Sequence, residues 1–277
     1  MTAAQALQQA IARLRAAGVT EAARDARRLL AHAARIEASR VALIAPDELT
    51  EDVVGNFERL VAARAARTPV SQLVGEREFY GRKFLVNEQV LDPRPETELL
   101  IECALAEPFE QVLDLGTGSG CILVTLLAEE PAARGIGIDL SGDALLVASA
   151  NAIRNGVQAR VDFRQSDWFA QVSGQFDLIV ANPPYIALGE MPGLAPEVRD
   201  HEPRLALTDE GDGLSAYRTI LAEAPRHLVP GGRLVVEIGA TQGDAVAAMF
   251  HRARLGRVVI LPDLSGHDRV VCGRAPL

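Results

Sequence analysis

No stretch of this 277-residue chain stays apolar for the length of a membrane-spanning helix, so a membrane role is not expected. The opening residues Met1-Thr2-Ala3-Ala4-Gln5-Ala6-Leu7 lack the basic start and long apolar centre of a secretion leader, which makes the cytoplasm the expected compartment. Cysteine is scarce. Cys103, Cys121 and Cys272 lie far apart without metal-ligand spacing and read as reduced core thiols, so no metal is expected. Positive charge is not in excess: 28 Lys and Arg against 37 Asp and Glu leave a formal charge of -9. That balance argues against a broad phosphate-tracking surface, and no stable nucleic-acid binding is expected. Repeats and low-complexity tracts are missing too. What remains is a chain that is 48% hydrophobic but only 4% aromatic, with mean hydropathy of +0.10. Such a chain has material for a large core and for a second, smaller domain.

Residues 1–70 place Leu7, Ile11 and Leu14, then Leu29, Leu30 and Ile36, then Val53, Phe57, Leu60 and Val61 at helical spacings. They predict a small helical bundle, with Thr20 as a helix N-cap. The arginines from Arg24 to Arg40 form either a solvated helix face or a basic docking patch. Residues 71–95 contain two short extended runs around Gly81 and predict a linking β-hairpin. Asp92-Pro93-Arg94-Pro95-Glu96-Thr97-Glu98 then opens a helix. Arg94 is either part of an ordinary helix start or a lining residue of a substrate pocket.

Over residues 96–277 strands and helices alternate, with strands expected at 112–115, 135–139, 159–164, 177–181 and 233–238. The order implies an α/β domain with a doubly wound sheet. The runs 257–261 and 269–273 are joined by a connection too short for a crossover helix and should pair antiparallel.

Directly after the first of these strands comes Asp114-Leu115-Gly116-Thr117-Gly118-Ser119-Gly120. Its glycines let the backbone turn sharply and approach a ligand. A dinucleotide fingerprint would place its last glycine where Cys121 stands, so a nucleoside without pyrophosphate fits better. Asp139, at the end of the next strand, can accept both ribose hydroxyls, or it can cap the following helix, a task open also to Ser141. S-adenosyl-L-methionine is such a nucleoside, with its amino acid end beside the glycine loop and its ammonium near Asp114. Asp167 and Trp168 border an adenine by hydrogen bond and apolar contact, or are respectively a loop residue and a packing residue.

The apolar run Asp177-Leu178-Ile179-Val180-Ala181 ends in Asn182-Pro183-Pro184-Tyr185. An Asn carbonyl accepts from an NH2 group, Pro removes a competing backbone donor and stiffens the loop, and Tyr offers a flat face. That combination suits methyl transfer to a planar nitrogen. Asn182 and the Pro183 carbonyl would hold the acceptor's two hydrogens, with Pro184 and Tyr185 beside it. Asn182 also borders the cofactor.

Gly116 to Gly120, Asp139, Asn182 to Tyr185 and the trailing antiparallel pair together resemble a class I S-adenosylmethionine-dependent methyltransferase, with its Rossmann-like sheet. Phe79-Tyr80-Gly81, Arg94-Pro95-Glu96-Thr97-Glu98, Ser166-Asp167-Trp168-Phe169 and His201-Glu202-Pro203-Arg204-Leu205-Ala206-Leu207 resemble the peptide chain release factor glutamine methyltransferases (HemK/PrmC). That resemblance implies N5-methylation of the glutamine in the Gly-Gly-Gln motif of translation release factors, which would be the protein partners, and that the helical bundle of residues 1–70 is a substrate-docking domain that helps hold them. Ribosomal protein L3 glutamine methyltransferases share the cofactor loop and Asn182–Tyr185 pattern but differ around Arg94–Glu98. Nucleic-acid adenine or guanine N-methyltransferases share the Asn182–Tyr185 pattern as well. Asp92 departs from the family, which usually carries an apolar residue before its Pro-Arg-Pro.

Overall fold

A computed structural model describes all 277 residues. They divide into two compact units, Met1–Glu76 with Ala195–His201, and Arg77–Leu194 with Glu202–Leu277. In the first, helices α1 (Ala3–Ala16), α2 (Ala22–Ala34), α3 (Glu51–Ala65) and α4 (Val70–Val74) close around Leu14, Leu29, Leu30, Phe57, Leu60 and Val61. Thr2 caps α1 in a reciprocal box with Gln5, and Thr50 caps α3. The cap expected from Thr20 does not form, because α2 starts one position later, after Glu21, with no side-chain cap. The unit continues past the expected boundary at residue 70, since α4 buries Val70 in the same core.

The segment Ala195–His201 joins this helical unit through charge. Arg64 binds Asp25 through Nε (2.8 Å) and Glu197 through Nη1 (2.8 Å). Arg67 Nη2 reaches the second Glu197 oxygen at 2.6 Å, and Gln72 donates to the His201 carbonyl at 2.9 Å. Arg64 is itself buried, so its pairing with two carboxylates satisfies a charge that would otherwise be costly.

The second unit begins at the second residue of strand β1 (Glu76–Phe79) and continues into β2 (Arg82–Leu85), whose Phe84 meets Phe79 edge to face at 6.0 Å. Both phenylalanines are buried in the core beneath the main sheet, so the hairpin packs as part of this unit. The main sheet has the order β5-β4-β3-β6-β7-β9-β8. Its strands are β3 (Gln111–Leu115), β4 (Arg134–Asp139), β5 (Val161–Gln165), β6 (Phe176–Ala181), β7 (Leu228–Glu237), β8 (Gly256–Pro262) and β9 (Asp268–Arg274). β3 to β7 run parallel, whereas β9 lies antiparallel to both β7 and β8, as the short final connection requires. β7 starts earlier than residue 233 because the stretch from Leu228 to Arg233 bulges against Phe176–Leu178.

Alternate residues of the central strands point to opposite faces. Leu113, Leu115, Ile179 and Ala181 pack toward helices Ser215–His227 and Gly243–Arg252. Val112, Leu178 and Val180 pack toward α5 (Glu98–Leu105) and α6 (Cys121–Glu129). Burial on both faces explains the nearly continuous apolar runs seen in sequence. The strand order reverses between β3 and β6, which places a crevice at the carboxyl ends of β3, β4 and β6.

Asn151, fully buried in α7 (Gly142–Arg154), ties the hairpin to the glycine loop. It accepts from the Leu85 amide (2.6 Å) and donates to the carbonyls of Leu85 (3.0 Å) and Ser119 (2.8 Å). Asn151→Ala strands three backbone groups and is expected to cost about 2–4 kcal/mol in urea unfolding. A cost below about 1 kcal/mol would show that these groups find other partners.

Candidate functional site

Five polar strand ends and loops converge on the crevice. β3 ends in Asp114-Leu115 and turns through Gly116, Gly118 and Gly120, all with φ between 54° and 77°, into α6. L side chains rarely adopt those angles, which is why glycine recurs at alternate positions here. The Thr117 amide donates to the Ile138 carbonyl (2.8 Å) and the Gly118 amide to Asp139 Oδ2 (2.8 Å), so the end of β4 holds the loop.

Asp114 is fully buried. Its Oδ2 accepts from Thr117 Oγ1 at 2.6 Å, while its Oδ1 has no partner. Burial pushes its carboxyl up to about 7, opposed by the Thr117 hydrogen bond and reinforced by the charge of Asp139. Burial also raises the Asp139 pKa, against the pull of the Ser141 and Gly118 amides. Ser141, not Asp139, caps α7 by accepting from the Ala144 amide. The carboxylate of Asp139 thus keeps lone pairs for a ligand while two amides fix its plane.

The cavity at this edge is lined by Arg94, Gly116, Thr117, Gly118, Ser119, Asp139, Asp167, Trp168, Asn182 and Pro184. These are ten of the residues singled out from sequence. Asp114, Gly120, Pro183 and Tyr185 do not line it. Asp114 stands behind the loop. Gly120 faces Ala148, where a Cβ would come within 3.1 Å of the alanine side chain, so it serves the packing of α6 on α7. Pro183 is buried, and the Tyr185 ring packs against the sheet core, where burial raises its hydroxyl to about 12. Trp168 is held at φ 45°, with its carbonyl accepting from Ser166 Oγ at 3.0 Å.

Arg94 Nη2 contacts both oxygens of Glu202, at 2.7 and 2.6 Å. Glu202 is buried, and desolvation raises its carboxyl to about 7 against the attraction of Arg94. Asp92 is buried nearby, 3.8 Å from Arg77, and its charge adds to the rise at Glu202.

Asn182 donates from Nδ2 to Thr97 Oγ1 at 3.3 Å, which turns its carbonyl oxygen away from that contact. The Tyr185 carbonyl accepts from Gln242 Nε2 (2.9 Å), whose Oε1 takes the Gly239 amide (3.0 Å). Gly213 passes beneath this point. A Cβ there would lie 2.3 Å from the Tyr185 carbonyl, so only glycine fits. Glu237, 1% exposed at the end of β7, adjoins this group, and burial raises its carboxyl to about 7.

Sequence reasoning missed Thr97, Glu202, Glu237 and Gln242 as members of the site. The available signal was Glu237 itself, a carboxylate ending the apolar run Leu234-Val235-Val236 much as Asp114 and Asp139 stand at or next to the ends of their own strands.

Residues 88–194 match the family model described as the methyltransferase small domain, and residues 5–75 match the PrmC N-terminal domain. The chain is 61% identical over 276 residues to a release factor glutamine methyltransferase of Cereibacter sphaeroides, covering 100% of this chain and 99% of the relative. A namesake in Caulobacter vibrioides is 43% identical, covering 94% and 92%. Among solved structures, the catalytic domain of hMettl16 superposes with a TM-score of 0.58 at 15% identity, covering 77% of this chain and 81% of that one. A methyltransferase from Pyrococcus furiosus gives 0.55 at 15%, covering 80% and 100%. The two structures share the fold.

The raised Asp114 pKa has a definite sign. A carboxyl shifted from about 3.9 unfolded to about 7 folded contributes stability that is complete below the lower value and lost as pH rises through the upper one. Asp114→Asn is therefore expected to raise the melting temperature by several degrees near pH 8 and by much less near pH 5. Equal melting shifts at both pH values would refute the buried-charge account.

Proposed function

We infer the reaction from one premise: this chain belongs to the release factor glutamine methyltransferase family. It uses S-adenosyl-L-methionine to methylate the side-chain amide nitrogen, N5, of a glutamine in a peptide chain release factor. The acceptor in this reading is the glutamine of the Gly-Gly-Gln motif.

The residues suit that cofactor on their own terms. Asp114 presents a buried oxygen without a partner, fitted to an ammonium reached directly or through water. Asp139 is oriented by two amides for a ribose diol, and the loop between them offers backbone with no side chain at Gly116 and Gly118. Trp168 and Asp167 border the same cavity, suited to an adenine face and edge. When bound, S-adenosyl-L-methionine supplies an electrophilic methyl carbon whose bond to sulfur breaks, its electron pair staying on sulfur, as the bond to nitrogen forms.

An amide nitrogen is a weak nucleophile because its lone pair is shared with the carbonyl, so placement does most of the work. Asn182 Oδ1 and the Pro183 carbonyl accept the two amide hydrogens of the glutamine and hold the nitrogen lone pair toward the methyl carbon. As nitrogen becomes positive, the same two oxygens stabilise it. The proton on nitrogen becomes acidic once the methyl has arrived and leaves to water, so no tuned base is needed. Pro184 and Arg94 wall the cavity, Arg94 with Glu202 behind it, while the Tyr185 ring backs the turn from the core side.

The observation that carries this reading is the shared cavity of Asn182 with the glycine loop and Asp139, with Asn182 Nδ2 already engaged by Thr97. It is tested with labelled S-adenosyl-L-methionine and unmethylated release factor, the modified residue being located by mass spectrometry. Label should appear on the Gly-Gly-Gln glutamine and be missing from a Gln→Ala acceptor. Asn182→Ala should lower kcat roughly 100-fold or more while cofactor affinity stays within a few-fold. Near-normal turnover in that variant would sink the assignment of Asn182.

A further inference from the structure

We propose that Glu237 and Thr97 form a directional relay that fixes which end of the Asn182 amide faces the acceptor, making both of them positioning residues for methyl transfer. The proposal rests on the reading that Asn182 Oδ1 receives the glutamine amide.

Asn182 lies 85 residues from Thr97 in sequence, yet its Nδ2 sits 3.3 Å from Thr97 Oγ1. Thr97 is 2% exposed, and its hydroxyl and the Asn182 side chain stand close enough to the Glu237 carboxylate to hold its pKa down against burial. Glu237 ends β7, paired opposite Val270 of β9, and is 1% exposed; its Oε2 has no hydrogen-bond partner. Each group has a fixed capacity. An ionised carboxylate only accepts, an NH2 only donates, and a hydroxyl has a single proton to give. With Glu237 ionised, the Thr97 proton must go to the carboxylate. The Thr97 oxygen can then only accept, and of the two ends of Asn182 only Nδ2 can satisfy it. Oδ1 is left for the cavity that Asn182 lines.

Without the carboxylate, Thr97 could donate instead to Asn182 Oδ1, and the amide could turn over. The NH2 presented to the acceptor would then repel its hydrogens. A serine-sized gap or a water could fill the space under Asn182, but neither has the fixed polarity that a carboxylate imposes. The negative charge also stands one residue behind the nitrogen that becomes positive, in surroundings with little water to screen it. Glu237 does not touch the acceptor, because Asn182 and Thr97 intervene.

The charge state of Glu237 sets the relay. Burial raises its carboxyl to about 7; hydrogen bonds from Thr97 and Asn182 and the charge of Arg269 on β9 pull it down, while Glu96 pushes it up. The other ionisable groups facing it are Tyr185 after β6, Tyr217 of helix Ser215–His227 and Cys121 at the start of α6, all of which stay neutral near pH 7 because their pKa values are raised. Below the Glu237 transition the carboxylic acid can donate to Thr97 and the constraint on Asn182 is released. Turnover should therefore rise with pH through the neutral range in proportion to ionised Glu237.

The full chain is assayed with unmethylated release factor and saturating S-adenosyl-L-methionine. Glu237→Gln and Thr97→Val should each lower kcat roughly 10–100-fold, in the range found when a buried orienting partner is removed. Affinity for S-adenosyl-L-methionine and KM for the release factor should stay within about threefold, since neither residue is asked to bind. Thr97→Ser, which keeps the hydroxyl, should recover most of what Thr97→Val loses. In Glu237→Gln the acidic limb of the kcat profile should flatten, and the melting temperature near pH 8 should equal or exceed that of the parent, as an uncompensated buried charge is gone. A kcat within twofold of the parent in both variants overturns the relay. So does an equal loss in Thr97→Ser and Thr97→Val, or an acidic limb that persists unchanged in Glu237→Gln. If Asn182→Ala itself turns over normally, the reading beneath the relay has failed; if Asn182→Ala is inactive while the relay variants are not, only the relay has.

Discussion

The carboxyl edge of the parallel sheet carries buried negative charge, and the rest of the molecule is arranged around keeping it there. Asp114 is the penultimate residue of β3, Asp139 ends β4 and Glu237 ends β7, each shifted toward the neutral form by burial. Desolvated carboxylates with unpartnered oxygens weaken a fold, so their concentration along one edge is what a ligand site requires and a purely structural edge does not. Strands buried on both faces supply the rigid base from which such groups can be held. The two apolar layers are each anchored in helices, and the polar ends project where no helix covers the sheet.

Holding the loops above that edge falls to a few side chains from distant segments. Asn151 binds the hairpin to the glycine loop, Asp139 binds that loop to β4, and Gln242 grips the Tyr185 carbonyl over the close approach of Gly213. Each of these replaces a backbone partner that a loop cannot supply for itself. The Asn182–Tyr185 turn is consequently fixed at both ends, by Thr97 at its first residue and by Gln242 at its last. A site whose chemistry is placement needs this, because a shift of about 1 Å in a positioned group can remove two orders of magnitude of rate.

Much of this was legible in the sequence, and the limits of legibility follow from range. Glycines at alternate positions after an apolar strand, a carboxylate ending the next strand and Asn-Pro-Pro-Tyr after a third are short patterns, and each maps onto the crevice. The final antiparallel pair was legible because its connection is too short for anything else. Gly120 looked like part of the ligand loop because spacing does not reveal which way a missing Cβ faces; it faces Ala148. Tyr185 looked like a ring for the acceptor, whereas its ring lies against the core and its carbonyl is the anchored atom. Thr97, Glu202 and Gln242 act through partners 57 to 108 residues away, a distance over which no local pattern speaks. Thr20 shows the converse: a good local cap signal gave way when α2 began at Ala22.

The segment after Asn182–Tyr185 adds a constraint that no motif displays. The chain leaves the sheet unit after Leu194, contributes Ala195–His201 to the helical unit, and returns at Glu202. Within the helical unit that segment is held by ion pairs from Arg64 and Arg67 to Glu197 and by Gln72 at the His201 carbonyl. On its return, Glu202 takes both bonds of Arg94 in the cavity wall. In chain order, a segment of the helical unit therefore separates the Asn182 loop from the partner of Arg94. Because Arg64 also serves the buried Asp25, loosening Glu197 leaves Arg64 paired, whereas removing Arg64 takes the ion-pair partner from Asp25 while Glu197 keeps Arg67. The acidic residue is thus the adjustable member of the triad, and the arginine is the one on which the integrity of the helical unit depends.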